Sequence, residues 1–381
     1  MTSSSVPRSL PIGSVAAGES CEVTSLSLTR APQHRSTTAE RAERLAELTT
    51  LRVGGPAGRL VRATTETELL EAVRRADDAG EPVLVLGGGS NVLIADDGFP
   101  GTVVQVASRG IEADVSSCSG ATVTVAAGED WDAFVATAVD QEWSGIEALA
   151  GIPGLVGGTP IQNVGAYGTE VAQTIARVRT FDRTARRQVT FSVADCGFGY
   201  RTSRFKTEPG RHLVLEVTFQ FPLGSMSAPI RYAELARALG VAVGARAPAA
   251  EVRQAVLALR AGKGMVLDAE DHDTWSAGSF FTNPILSAVD ADALPADAPR
   301  YPQPDGRVKT SAAWLIEHGG FGKGYGSGRA GLSTKHTLAL TNRGGATAAD
   351  LLALAREVQA GVADRFGLVL VPEPVLVECT L

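Results

Sequence analysis

Residues 83–91 read VLVLGGGSN: four apolar residues run directly into three glycines, a serine and an asparagine. A short apolar run behind Pro82 is the pattern of a buried strand. Gly87, Gly88 and Gly89 have no Cβ, so the backbone of this turn can approach a ligand closely. Successive N–H groups in such a turn form an anion-binding concavity, to which Ser90 and Asn91 add side-chain donors. Taken alone, the stretch also reads as a tight surface turn. A second segment, AGIPGLVGGTPIQNVGAYG at 150–168, holds six glycines and almost no charge. It is too rich in glycine for a helix interior and too apolar for an exposed loop. A buried loop needs partners for its backbone polar groups. A large, oxygen-rich ligand would provide them, and so would a core crossing bonded to itself. Two such segments in one chain favour a bound dinucleotide. Neither is GxGxxG opening a helix, and GxxxxGK[ST] is absent, so the nucleotide would sit in a different fold.

Working outward, strand and helix alternate around the first segment. Thr65 and Glu68 suit a capping box for a helix with Leu69, Leu70, Val73 and Ala76 on one face, ended by Gly80. Residues 48–65 read as strand, turn, strand, and 41–48 as a short helix. TVVQVA (102–107), ATVTVAA (121–127) and the alternating HLVLEVTFQF (212–221) read as strands. Residues 130–141 and 248–260 read as helices. Ser311 caps a short helix, AAWLIEH, and Thr347 opens the longest one, ended by Gly367. LVLV (368–371) reads as a strand. The mixture is α+β in at least two lobes.

The chain has 381 residues, enough for two or three domains, and 44% hydrophobic residues, enough for a core. A net charge of −7 argues against a nucleic-acid binder. Cys21, Cys118, Cys196 and Cys379 form no CxxC pair, so zinc is not expected and all four read as free thiols of a cytoplasmic protein. No apolar run is long enough to span a membrane. Residues 1–44 read as a disordered tail.

Three clusters carry candidate chemistry. In YRTSRFK (200–206), Arg201 can grip a carboxylate, although a solvated basic turn has the same composition. In AGSFFTNP (277–284), Ser279 stands beside two aromatics. No GxSxG elbow surrounds it, so proton donation fits better than nucleophilic attack, and a locally bonded serine is the plain alternative. In VPEP (371–374), prolines fix the backbone on both sides of Glu373, which otherwise reads as a surface carboxylate.

With LGGGSNVL, IPGLVGGTPIQNVGAYG, YRTSRFK, AGSFFTNP, AAWLIEHGGFGKG, LSTKHTLALTN and a C-terminal PE in this order, residues 48–377 resemble the UDP-N-acetylenolpyruvoylglucosamine reductases. The resemblance implies a vanillyl-alcohol-oxidase-like FAD-binding fold. Its parts would be a first FAD-binding lobe (45–112), a second lobe (113–226, with 368–381 returning to it) and a substrate-binding region (227–367). It implies FAD as cofactor, NADPH as hydride donor and UDP-N-acetylglucosamine enolpyruvate as substrate, in peptidoglycan precursor synthesis, without nucleic acid or membrane insertion. Residues 87–91 would hold the FAD pyrophosphate. Gly151, Ile152, Pro153, Gly157, Gly158, Gly165 and Ala166 would line the rest of the nucleotide. Arg201 would hold the enolpyruvyl carboxylate, Ser279 would protonate C2 and Glu373 would support the enolate. Tyr167, Asn283, the capping tyrosine Tyr232 and the diphosphate lysine Lys263 would contact substrate. The C-terminal motif departs from the family in reading PEPVLVE, without the basic residue that often follows, and 259–275 is longer than usual. The alternative is an oxidase of the same fold. Such enzymes often attach flavin through His or Cys, and residues 35–211 contain no histidine.

Overall fold

The computed structural model describes residues 22–28, 38–39 and 44–381. Three parallel strands form the body of the first lobe's four-stranded sheet: Ala57–Ala63 and Val83–Leu86 flank Phe99–Val106, with Leu60 and Leu84 both in register with Val103. The helix Glu66–Ala79 makes the crossover between the first two. Thr65 accepts from Glu68 N at its start, and left-handed Gly80 ends it. That helix also reaches the second lobe, where Arg179 grips Glu66 and Arg183 grips Asp77.

The second lobe is a six-stranded antiparallel sheet in the order Val23–Ser27, Ile111–Ser116, Gly120–Ala126, His212–Phe221, Ile175–Asp182, Arg187–Ser192. Period-two patterning turns Leu213, Leu215, Val217, Phe219 and Phe221 inward, where Trp131 and Phe134 of the helix Trp131–Asp140 cover them. Each such aromatic contributes roughly 2–3 kcal/mol by leaving water.

Five expectations are corrected. Residues 23–27 are an edge strand paired with 111–116 rather than disordered tail, and 38–39 pair with 60–61. The rest of the expected tail lies outside the described residues. The chain end returns to the first lobe, not the second: Val375–Val377 pairs in parallel with Val92–Ile94. LVLV forms no strand, since Val369 and Val371 point outward and only Leu370 is buried. Residues 230–256 pack in the core of the second lobe through Ile230, Leu235, Val252 and Val256, so the third region's own core begins after them. That core surrounds the helix Ala348–Phe366 and includes Phe280, Phe281, Leu315 and Leu332. Cys118 is disulfide-bonded, while Cys196 and Cys379 are free thiols, so the expectation of free thiols fails at Cys118.

The long C-terminal helix is tied to the first lobe at its start. Asp96 accepts from Ala348 N and Ala349 N, adding to the capping box of Thr347 and Asp350. Among the described residues, no helix is long and apolar enough to cross a membrane, and no cluster of His, Cys, Asp and Glu could hold a metal.

Candidate active site

A cleft of about 340 Å³ is lined from all three regions. Gly87, Gly88, Gly89, Ser90 and Asn91 all line it. A Cβ on Gly88 would lie 2.8 Å from Gly154 Cα, and one on Gly154 would lie 2.7 Å from Ser90 Oγ. The two glycine-rich segments therefore touch backbone to backbone, which only glycine permits. Gly89 has φ +62° and its Cβ would fall 1.9 Å from the Leu48 carbonyl oxygen. Asn91 donates to Gln162 Oε1 at 2.6 Å, and Val375 N donates to Asn91 O at 2.9 Å.

The second segment divides its residues. Ile152, Pro153, Gly158 and Gly165 line the cleft, and a Cβ on Gly158 would meet nothing within 4 Å. Gly151, Gly157 and Ala166 do not line it. Gly157 N donates to Ala127 O, and its Cβ would lie 2.5 Å from Ala127 Cβ. Gly151 N donates to Asp132, and Ala166 pairs with Thr169. Part of this segment is thus the self-bonded core crossing that its composition allowed.

Arg201 and Glu373, far apart in sequence, meet at the cleft. Arg201 Nε lies 3.0 Å from Glu373 Oε1; the contact is ionic, because the N–H is not aimed at that oxygen. Arg201 Nη2 donates to Gly165 O at 2.8 Å. The Arg201 backbone is left-handed at φ 53°, a conformation that costs of order 1–3 kcal/mol away from glycine and persists only when neighbours hold it. Burial pushes the Glu373 carboxyl above its ordinary pKa, while Arg201 and then Lys206 oppose the shift.

Ser279 lines the same cleft, and its hydroxyl has no hydrogen-bond partner among the described residues. A short antiparallel contact sets its distance from the acid. Glu373 N donates to Phe280 O at 2.8 Å and Thr282 N to Val371 O at 3.0 Å, around the bridge Phe281–Pro372. Proline at 372 and 374 leaves Glu373 the available donor in this stretch, and its bond to Phe280 holds its backbone against Ser279's immediate neighbour.

Tyr167, Tyr232 and Lys263 gather beside the cleft. The two rings meet edge to face at 5.6 Å, and Lys263 Nζ is 5.9 Å from the Tyr167 ring and 2.6 Å from Glu234. Burial pushes the Tyr167 hydroxyl up to about 12, so it stays a hydrogen-bond donor at neutral pH. Asn283 stands apart from that group: its Oδ1 accepts from Ala312 N at 2.9 Å at the start of the helix Ala312–His318, and it bonds to half-buried Tyr200.

Sequence reasoning missed Thr50, Gln162 and Arg260 in the cleft wall. Arg260 was detectable. It continues the buried stripe Val252, Val256 on the helix Ala249–Gly262, where an arginine at four-residue spacing is out of place unless it serves a ligand. It is almost wholly buried, its Nη2 donates to Met265 O, its Nε has no partner, and desolvation lowers its pKa to about 10.

These features fit FAD. Bare glycine backbone at 87–89, 154 and 158 can approach a pyrophosphate, and Arg260 Nε is a buried donor without a protein acceptor. Among the described residues, no histidine or cysteine lines the cleft. His212 is packed between Phe191 and Phe205, and burial pushes the Cys196 thiol up to about 12. Neither is set for covalent flavin attachment.

Comparison with known proteins agrees with this geometry. Residues 57–189 match the FAD binding domain model and residues 270–377 match the model for UDP-N-acetylenolpyruvoylglucosamine reductase, C-terminal domain. The chain is 63% identical over 340 residues to the UDP-N-acetylenolpyruvoylglucosamine reductase of Cutibacterium acnes, covering 88% of this chain and 90% of that protein. It is 58% identical over 348 residues to that of Streptomyces avermitilis, covering 88% and 94%. The crystal structure of the enzyme from Thermus caldophilus superposes with a TM-score of 0.60 at 27% identity, covering 90% of this chain and 99% of that one. The chain belongs to the UDP-N-acetylenolpyruvoylglucosamine reductase family.

Proposed function

We propose that this protein reduces UDP-N-acetylglucosamine enolpyruvate to UDP-N-acetylmuramate in the cytoplasm, as a step in peptidoglycan precursor synthesis. FAD, when bound along 87–91 and 152–165, supplies the redox chemistry that relays hydride from NADPH to C3 of the enolpyruvyl group. The remaining chemistry belongs to the protein. Hydride addition at C3 builds negative charge on C2 and the carboxylate, and fixed donors there lower the barrier. Arg201 is such a donor, held by Gly165 O and by Glu373. Ser279 presents a hydroxyl without a protein partner and is the proton donor to C2. Glu373, its carboxyl kept toward the neutral form by burial, supports the developing enolate. Tyr167, Tyr232 and Lys263 form the wall that meets the UDP-sugar beyond the reacting group, Lys263 facing the diphosphate.

The observation that carries this reading is the convergence of Arg201, Glu373 and Ser279 on one glycine-walled cleft. The test is anaerobic. NADPH should bleach the yellow holoenzyme, and the enolpyruvyl UDP-sugar should restore its colour. Ser279→Ala should slow that recovery by about a hundredfold or more while bleaching by NADPH falls far less. A colourless purified protein, or recovery that needs only oxygen, would overturn the reading.

A further inference from the structure

The segment that carries Arg201 contains a second cation with no role in the account above. Lys206 lies in the short helix Arg204–Thr207, whose cap, Ser203, accepts from Lys206 N and donates to Ile161 O at 2.5 Å. The segment is thereby fastened to the second glycine-rich stretch. Lys206 Nζ donates to the carbonyl oxygen of Arg201 at 3.1 Å. That carbonyl belongs to a residue with φ 53°, and the bridge Gly199–Thr202 closes the turn around it. A left-handed arginine needs such tethers, because its side-chain direction depends on a backbone conformation the residue disfavours. The ammonium is half-buried and also faces Glu373, for which it is the second cation after Arg201. One side chain thus touches the backbone of the carboxylate-binding arginine and the field of the acid.

We propose that Lys206 is a positioning residue for the reductive step: its ammonium pins Arg201 in the left-handed turn and places a second positive charge beside Glu373. The inference rests on the roles of Arg201 and Glu373 proposed above. The titratable and charged groups that face Glu373 are Arg201, Lys206 and Tyr200, all from the 199–207 segment; from the first glycine loop the Asn91 amide meets only its backbone oxygen.

The test uses holoenzyme of Lys206→Met, Lys206→Arg and Glu373→Gln. With Lys206→Met, kcat for sugar-dependent NADPH oxidation should fall by about tenfold to a hundredfold, with a smaller change in KM for the UDP-sugar. The pH–rate limb that vanishes in Glu373→Gln should move to higher pH by about one unit, because losing a neighbouring cation favours the neutral carboxyl. Lys206→Arg, which keeps the charge, should hold the limb in place and recover most of kcat. An activity within twofold of the parent in Lys206→Met overturns the proposal. So does a loss of kcat with an unmoved limb that Lys206→Arg does not repair, since that pattern marks a residue needed only for the fold. If Lys206→Met does not yield folded flavoprotein, Lys206→Gln is read by the same criteria. Normal sugar-dependent turnover in Glu373→Gln and Arg201→Lys would instead overturn the underlying assignment, whatever Lys206 does.

Discussion

In the segment 87–91 every residue lines the cleft, even where Gly88 and Gly89 also press on Gly154 and Leu48, whereas between 151 and 168 the glycines divide between ligand and core. The contrast is sharpest at two neighbours. Gly157 is pressed against Ala127, while a Cβ on Gly158 would meet only open cleft. The same residue type solves two problems here. In one it lets protein backbone approach protein backbone, and in the other it keeps a wall bare for a ligand. Glycine content alone cannot separate these uses, because both demand only that no side chain be present.

Substitutions can break this comparison apart. Gly89→Val should have the largest effect, since it sets a β-branched residue at φ +62° with its Cβ in the Leu48 carbonyl. A loss of about 3 kcal/mol or more in urea unfolding is expected, together with loss of bound flavin. Gly157→Ala should cost about 1–3 kcal/mol of stability, because Ala127 and its backbone must move. The protein that remains folded should still take up FAD. Gly158→Ala should do the reverse. Its unfolding free energy should stay within about 0.5 kcal/mol, while FAD affinity in apoprotein reconstitution falls by about tenfold. Equal behaviour of these two alanine variants would erase the distinction between the glycines.

A smaller pair of effects separates scaffold from site. Hydrogen bonding to Arg211 lowers Asp182 from 3.8 to about 2. Its contribution to stability is therefore full above pH 3.8 and lost as pH falls through about 2, and Asp182→Asn should flatten that acid limb of a chemical-unfolding series. Burial raises Glu373, so the folded state holds its proton more tightly than the unfolded chain. Stability should then decline as pH rises from 4.5 through the raised value, and Glu373→Gln should remove that decline.

The legible parts of the fold were those written locally. Thr65, Ser311 and Thr347 cap helices, and Gly80 and Gly367 end them, because cap chemistry involves residues within one turn. The strands 83–86 and 212–221 followed from an apolar run and from period two. LVLV failed because its pattern is spent on an irregular contact with 280–282, with the true strand lying beyond Pro374 at 375–377. Residues 23–27 failed because an exposed edge strand carries little apolar signal. In the site, Arg201, Ser279 and Glu373 were each visible as residues, but only the family resemblance, and no local pattern, implied that they act together. Their meeting depends on the return of the chain end, which no local pattern records. Lys206 was hidden by a bond to a backbone carbonyl, which leaves no trace in composition.

That return has a consequence for how the protein is made. Val375–Val377 completes a two-stranded parallel pair with Val92–Ile94, and Glu373 arrives on the same few residues. A ribosome delivers the first lobe long before the strand that closes it. Contacts of such large sequence separation form late and slowly. The strands of the six-stranded sheet and both glycine-rich segments all precede residue 222, so they are made while Glu373 is still unsynthesised. On the roles proposed above, reductive competence then waits until residues 373–377 have joined the first lobe, well after both glycine-rich segments have been made.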